Sequence, residues 1–322
     1  MKTIPAATLV LACSVVAMPA ASQSLNVSRL VSGLEGGSGS TVGPGGDLYV
    51  TEGAAGRISR VDPKTGEITT FATGLPLRVV PIGGAMDIAF IGKTAYVLVT
   101  LVGEDVGGSD AVGIYRVDGP NTFTLIADIG QFALDHPPDT AFDVPTGVQY
   151  ALEPYRGAFL VTDGHHNRVL RVTLDGEVSV YLAFDNIVPT GLAARGNTVF
   201  MAEAGPVPHL PENGKVVAID GKTLNVTEVG AGAPLVVDVE FGRGRGLYAL
   251  SQGEFSGGPA GAPALEDTGA LVEVNADGTF TVLVDRLNQP TSLEFIGNTA
   301  YVVTLGGEIW KIEDVSGPPF GN

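Results

Sequence analysis

The stretch Phe90-Ile91-Gly92-Lys93-Thr94-Ala95-Tyr96-Val97-Leu98 returns as Phe295-Ile296-Gly297-Asn298-Thr299-Ala300-Tyr301-Val302-Val303, with seven of nine residues identical. The copies stand roughly four repeat lengths apart at ~40–50 residues per propeller blade. A small β unit repeated in this way cannot bury its faces alone and must pack against its neighbours. Between the two copies the same pattern recurs in variant form. A first strand follows a small or Pro-Thr element, as in Pro145-Thr146-Gly147-Val148, Pro189-Thr190-Gly191-Leu192 and Pro290-Thr291-Ser292-Leu293. A second, apolar strand carries an aromatic, as in Leu48-Tyr49-Val50, Phe159-Leu160-Val161 and Leu247-Tyr248-Ala249. A third runs into an acidic turn, as in Arg60-Val61-Asp62 and Ile312-Glu313, and the fourth is rich in Thr and Val. Thr65-Gly66, Asp175-Gly176 and Asp277-Gly278 mark the hairpins between the third and fourth strands.

Six such units of about 45–60 residues fit the chain. The last one runs out after its third strand, before Gly317-Pro318-Pro319. The N-terminal Ser28-Arg29-Leu30-Val31-Ser32-Gly33-Leu34 matches the end of the first full repeat, Thr69 to Leu75. Pairing residues 28–34 beside 307–313 would complete one shared blade and remove an open sheet edge. The expected fold is therefore all-β: a six-bladed β-propeller closed by an N-terminal strand.

Composition narrows the partners. Gly (45) and Pro (21) are abundant in the 322 residues, and the formal net charge is −17. A nucleic acid or an anionic membrane needs a basic face, which this chain does not offer. Lys2, the apolar run from Ile4 to Ala17 and the small residues Ala20-Ala21-Ser22 read as an export signal over residues 1–22. That leaves one domain, 23–322, destined for the periplasm or the exterior. The one cysteine, Cys13, lies inside the signal. Val10-Leu11-Ala12-Cys13 also loosely matches a lipoprotein processing site, which would leave a lipid on Cys13. No second apolar run is long enough to span a membrane.

In a propeller the second-to-third and fourth-to-first connections share one face. The longest insertions fall there: residues 103–111, 130–143, 205–214 and 252–269. So do the histidines His136, His165, His166 and His209. Loops that a closed scaffold does not need are where binding residues concentrate. Aligning the units on the second-strand aromatic places Ser40, Asp87, Gly147, Gly191, Asp238 and Ser292 nearest the axis, with Asp87 facing Asp238. Glu52, Asp163 and Glu203 end second strands at the same mouth. Asp87, Asp238, Asp163, Glu203 and Glu52 are candidate oxygen ligands for Ca²⁺ or Mg²⁺. His165 and His166 are candidate acid–base groups beside such an ion. Against these stand simpler roles: acids bonding turn amides, and His136 and His209 as surface residues.

Thr162-Asp163-Gly164-His165-His166-Asn167-Arg168-Val169-Leu170-Arg171-Val172 and Pro189-Thr190-Gly191-Leu192-Ala193 resemble the core of NHL-type propeller repeats. With the signal segment, Leu34-Glu35-Gly36-Gly37 and Gly45-Gly46-Asp47-Leu48-Tyr49-Val50-Thr51-Glu52, the mature chain resembles the ScyD/ScyE family of exported propellers. The resemblance implies no catalytic residues. It is compatible with an exported protein that binds a small molecule, a polysaccharide or a protein on its looped face. The SMP-30/gluconolactonase group and the streptogramin-lyase propellers offer the enzyme alternative. They imply a divalent-metal hydrolase, lactonase or lyase, with Asp87 and Asp238 as two of its ligands.

Overall fold

The structure is a computed structural model and describes residues 25–316, apart from 245, 259 and 260. The export segment and Cys13 lie outside the described residues. Six four-stranded antiparallel sheets stand around one axis. Each uses four strands in order, here called a (innermost) to d (outermost). The blades run Gly37–Thr73, Gly84–Asp128, Gln149–Ala183, Pro189–Ala231 and Val236–Leu287, and the sixth combines Pro290–Glu313 with the N-terminal strand Asn26–Val31.

That sixth blade closes the ring. Asn26–Val31 pairs antiparallel with Ile309–Glu313, Ser28 opposite Lys311 and Val31 opposite Ile309. The pairing falls where the repeat pattern predicts it. The first and last strands satisfy each other's backbone groups, so the unit that the chain splits is not left with a bare edge.

The burial of each strand follows from its place in the blade. Strand b has blades packed on both sides, and Leu48–Glu52 and Ala158–Asp163 are buried at every residue. Strand d faces water, and Ile68–Thr73 is mostly exposed. Between blades the apolar faces interlock. Tyr96, Leu98 and Ile114 of the second blade pack with Leu152, Phe159 and Leu170 of the third. Side chains buried to this degree contribute ~1.5–3 kcal/mol each.

The a strands carry a second, polar set of ties. Asp87 Oδ2 accepts the Leu152 amide of the next blade at 2.7 Å, and Asp238 Oδ2 accepts that of Leu293 at 2.7 Å. Glu153 takes the Ala194 amide at 2.9 Å, and Ser40 bonds Ser292 through their hydroxyls at 2.8 Å. These bonds staple blade to blade at the narrowest radius, where no room remains for apolar side chains.

Candidate functional site

A cavity of about 330 Å³ opens where the channel meets the looped face. Its floor is one residue from each a strand: Gly39, Asp87, Ala151, Gly191, Asp238 and Ser292. This corrects the axial row read from the sequence at two positions. Ser40 turns out of the row toward Ser292, and Gly39 takes its place. Gly147 sits in the turn before its strand at φ +75°, and Ala151 takes its place. In the third blade the Pro145-Thr146-Gly147 element lies before the strand, whereas the matching Pro189-Thr190-Gly191 opens the strand of the fourth. The alternation of Gly and Asp has a steric reason. A methyl at Gly39 would collide with the Asp87 carboxylate, and one at Gly191 would meet Asp238. Each glycine makes room for the aspartate of the following blade.

The walls are mainly apolar, with Ile82, Met86, Val188, Val207, Leu235 and Pro263 among them. Within them sits a polar pair. His165 Nε2 lies 3.1 Å from the Tyr150 hydroxyl. Burial is the main influence on both groups: it lowers the His165 pKa and raises that of the Tyr150 phenol. Both are therefore neutral near pH 7. His209 also lines the cavity, only 7% exposed, with its ring edge-to-face on Phe255. Its Nδ1 donates to the Gly205 carbonyl at 2.7 Å, with the Ala204 carbonyl at 3.2 Å. The surface position expected for His209 is therefore overturned, because the 205–214 loop folds the ring inward onto its own carbonyls. His136 does stand on the surface, stacked on Phe132 at the end of the helix Ile129–Asp135 and outside the cavity.

His166 turns away from the cavity. It is 1% exposed, and its Nε2 donates to the Val144 carbonyl at 3.0 Å. Its Nδ1 lies 3.1 Å from both Arg168 Nη2 and Asp163 Oδ2. Both ring nitrogens are engaged, so His166 supports the turn that presents its neighbour His165.

The five candidate metal ligands do not converge. Asp163 is held by Arg168 at 2.8 Å and Gln149 at 3.1 Å. Glu52 accepts from Nε and Nη2 of Arg57, the Glu35 amide and the Ser59 hydroxyl. These bonds hold its pKa below the usual value against the opposing effect of burial. Glu203, opposite Lys215 in register, is pushed up to about 7 by burial. Asp87 and Asp238 do reach the cavity, but every oxygen of the pair already accepts a backbone N–H. Among the described residues no three His, Cys, Asp or Glu side chains form a metal-binding group.

One group of acids went unnoticed in the sequence. Glu240 and Glu294 lie two residues beyond Asp238 and Ser292 on their strands, so they face the channel one level deeper, as Glu153 does in its blade. Burial and the mutual repulsion of these acids raise their pKa values, that of Glu153 to about 8. The signal was there in the i, i+2 spacing within each a strand.

No family model matches this chain, and no curated protein matches it. Solved structures do. It is similar to virginiamycin B lyase from Staphylococcus aureus, at 16% identity and TM-score 0.56 over 90% of this chain and 98% of that one. It is similar to a gluconolactonase from Xanthomonas campestris, at 13% identity and TM-score 0.63 over 90% and 89%. It is also similar to the PQQ-bound aldose sugar dehydrogenase from Streptomyces coelicolor, at 15% identity and TM-score 0.62 over 90% and 98%. These likenesses agree with the architecture: the chain is a six-bladed β-propeller.

Proposed function

We propose that the looped end of the channel is a small-molecule site, and that the chain is a ligand-binding propeller of the ScyD/ScyE type, exported by its first 22 residues. One observation carries this reading: a walled cavity of about 330 Å³ with mainly apolar sides and a buried His165–Tyr150 pair. Its volume lies at the low end of the range for small-molecule pockets. Enclosure by loops of several blades favours a compact molecule over a polysaccharide strand or a protein surface, both of which need an open face.

A second reading has its own support. A neutral, buried imidazole hydrogen-bonded to a phenol is in the free-base form that a general base needs. A hydrolase, lactonase or lyase using His165 would fit it, and a lyase and a gluconolactonase stand among the similar structures. No step is assigned to a divalent ion, because four of the five acids proposed to hold one are already engaged and Glu203 stands apart from the cavity.

Calorimetric titration with the neutral probe 4-phenylbutan-1-ol, beside a turnover screen of lactones and esters, tests both. Binding without turnover supports the binder. Turnover that disappears in His165→Ala supports the enzyme. Neither binding nor turnover rejects both.

A further inference from the structure

On the cavity wall, His209 keeps one ring nitrogen as an uncommitted hydrogen-bond acceptor. Its Nδ1 faces two carbonyl oxygens, which only accept, so Nδ1 carries the proton. The Nε2 of the neutral ring is then a lone-pair acceptor on a side chain only 7% exposed, and among the described residues it has no partner. Water reaches this nitrogen, and a ligand donor would take that water's place.

The charge of the cavity points the same way. Asp87 and Asp238 form part of its floor and Asp143 its rim, and no lysine or arginine appears among its lining residues. Beneath the floor, Glu153, Glu240 and Glu294 add three more acids along the axis, and burial keeps protons on them near pH 7. The fixed donors of the floor, the backbone N–H groups, are already spent on Asp87 and Asp238. A carboxylate or phosphate entering this confined, weakly solvated space would be repelled by each acid that is ionised and would oppose ionisation of the rest. An ammonium would favour the ionised form of these acids, gaining a counter-charge below, and would find an acceptor at the side.

We propose that the cavity selects compact molecules with an apolar body and a cationic, hydrogen-bond-donating head, such as primary alkyl or arylalkyl amines, and rejects their anionic counterparts. This rests on the small-molecule reading above. Ile82, Met86, Val188 and Leu235 would cover the apolar body, while the head points down the axis toward Asp87 and Asp238.

Three probes of one shape decide it: 4-phenylbutylamine, 4-phenylbutan-1-ol and 4-phenylbutyrate, titrated into the folded chain at pH 7 by calorimetry. The amine is expected to bind at least about tenfold more tightly than the carboxylate, with the alcohol between them. Equal affinities, or a preference for the carboxylate, overturn the proposal while the pocket reading stands. Failure of all three to bind overturns both. Asp238→Asn should reduce the amine preference. Should that variant fail to fold, Asp143→Asn on the exposed rim should reduce it by less. His209→Phe should weaken the amine and the alcohol while leaving their order intact. An amine preference unchanged in every folded variant overturns the assignment of these groups.

Discussion

The acids around the channel form two populations that differ in what holds them. Those ending b strands face a cation across the hairpin: Glu52 faces Arg57, Asp163 faces Arg168 and Glu203 stands opposite Lys215. In the first two an ion pair forms within the blade. Asp87, Asp238, Glu153 and Glu240 on a strands have backbone amides instead, from their own strand or from the next blade. An amide satisfies a lone pair without cancelling a charge. The b-strand acids are therefore locally neutralised and serve the blade. The a-strand acids lack such a partner, so burial keeps protons on them near pH 7, and a cationic ligand would favour their ionised form.

Removing one partner from each population should break them differently. The largest effect is expected from Arg168→Ala. Arg168 is 2% exposed and its loss strands a fully buried Asp163, a change that costs ~3–5 kcal/mol. Urea unfolding reads it directly, and a loss under ~1 kcal/mol would show that Gln149 and His166 suffice to hold that carboxylate. Arg57→Ala should cost less, about 1–3 kcal/mol, since the Arg57 side chain is 28% exposed while Glu52 keeps its amide and hydroxyl donors. Gly191→Ala tests the other population. Its methyl would press on Asp238 and should cost about 1–3 kcal/mol by forcing apart the fourth and fifth blades. An unchanged unfolding midpoint would mean that Asp238 can move aside.

A pH slope comes mainly from the a-strand acids, with Glu203 of a b strand adding to it in the same direction. Free carboxyls titrate near pH ~4. Burial raises Asp238 to about 7 and Glu153 to about 8, and Glu240, Glu294 and Asp87 also shift upward. Arg195 attracts Glu240 and opposes its upward shift. The folded chain therefore holds more protons than the unfolded chain between these limits. Its stability should be greatest near pH ~4–5 and fall as pH rises through about 8. Melting temperatures across this range, for wild type and Asp238→Asn, check it. The variant should show the shallower slope, and stability that rises with pH would show that the b-strand ion pairs govern instead.

The ring was legible because it rests on local, periodic signals. The Tyr49, Tyr96, Tyr248 and Tyr301 strands and their Gly turns mark each blade, and Ser28–Leu34 declared its own missing partner. The looped face was legible too, since insertions break the period. The cavity was only partly so. His165 was picked out with His166, yet adjacent residues on one tight turn point in opposite directions, and no spacing separates them. Asp163 and Asp87 looked equivalent as acids near the mouth, although Arg168 sits in sequence five residues from the first and the amide that holds the second belongs to Leu152.

The number of blades, their closure and the face carrying the loops follow from the residue order, because hydrophobic alternation and turn chemistry act over a few residues. Which acids are cancelled, which histidine faces the cavity and which stays structural were decided only by the assembled ring. Those outcomes depend on groups from neighbouring blades meeting in a space that water barely reaches, where each buried charge takes the donor that the packing brings to it.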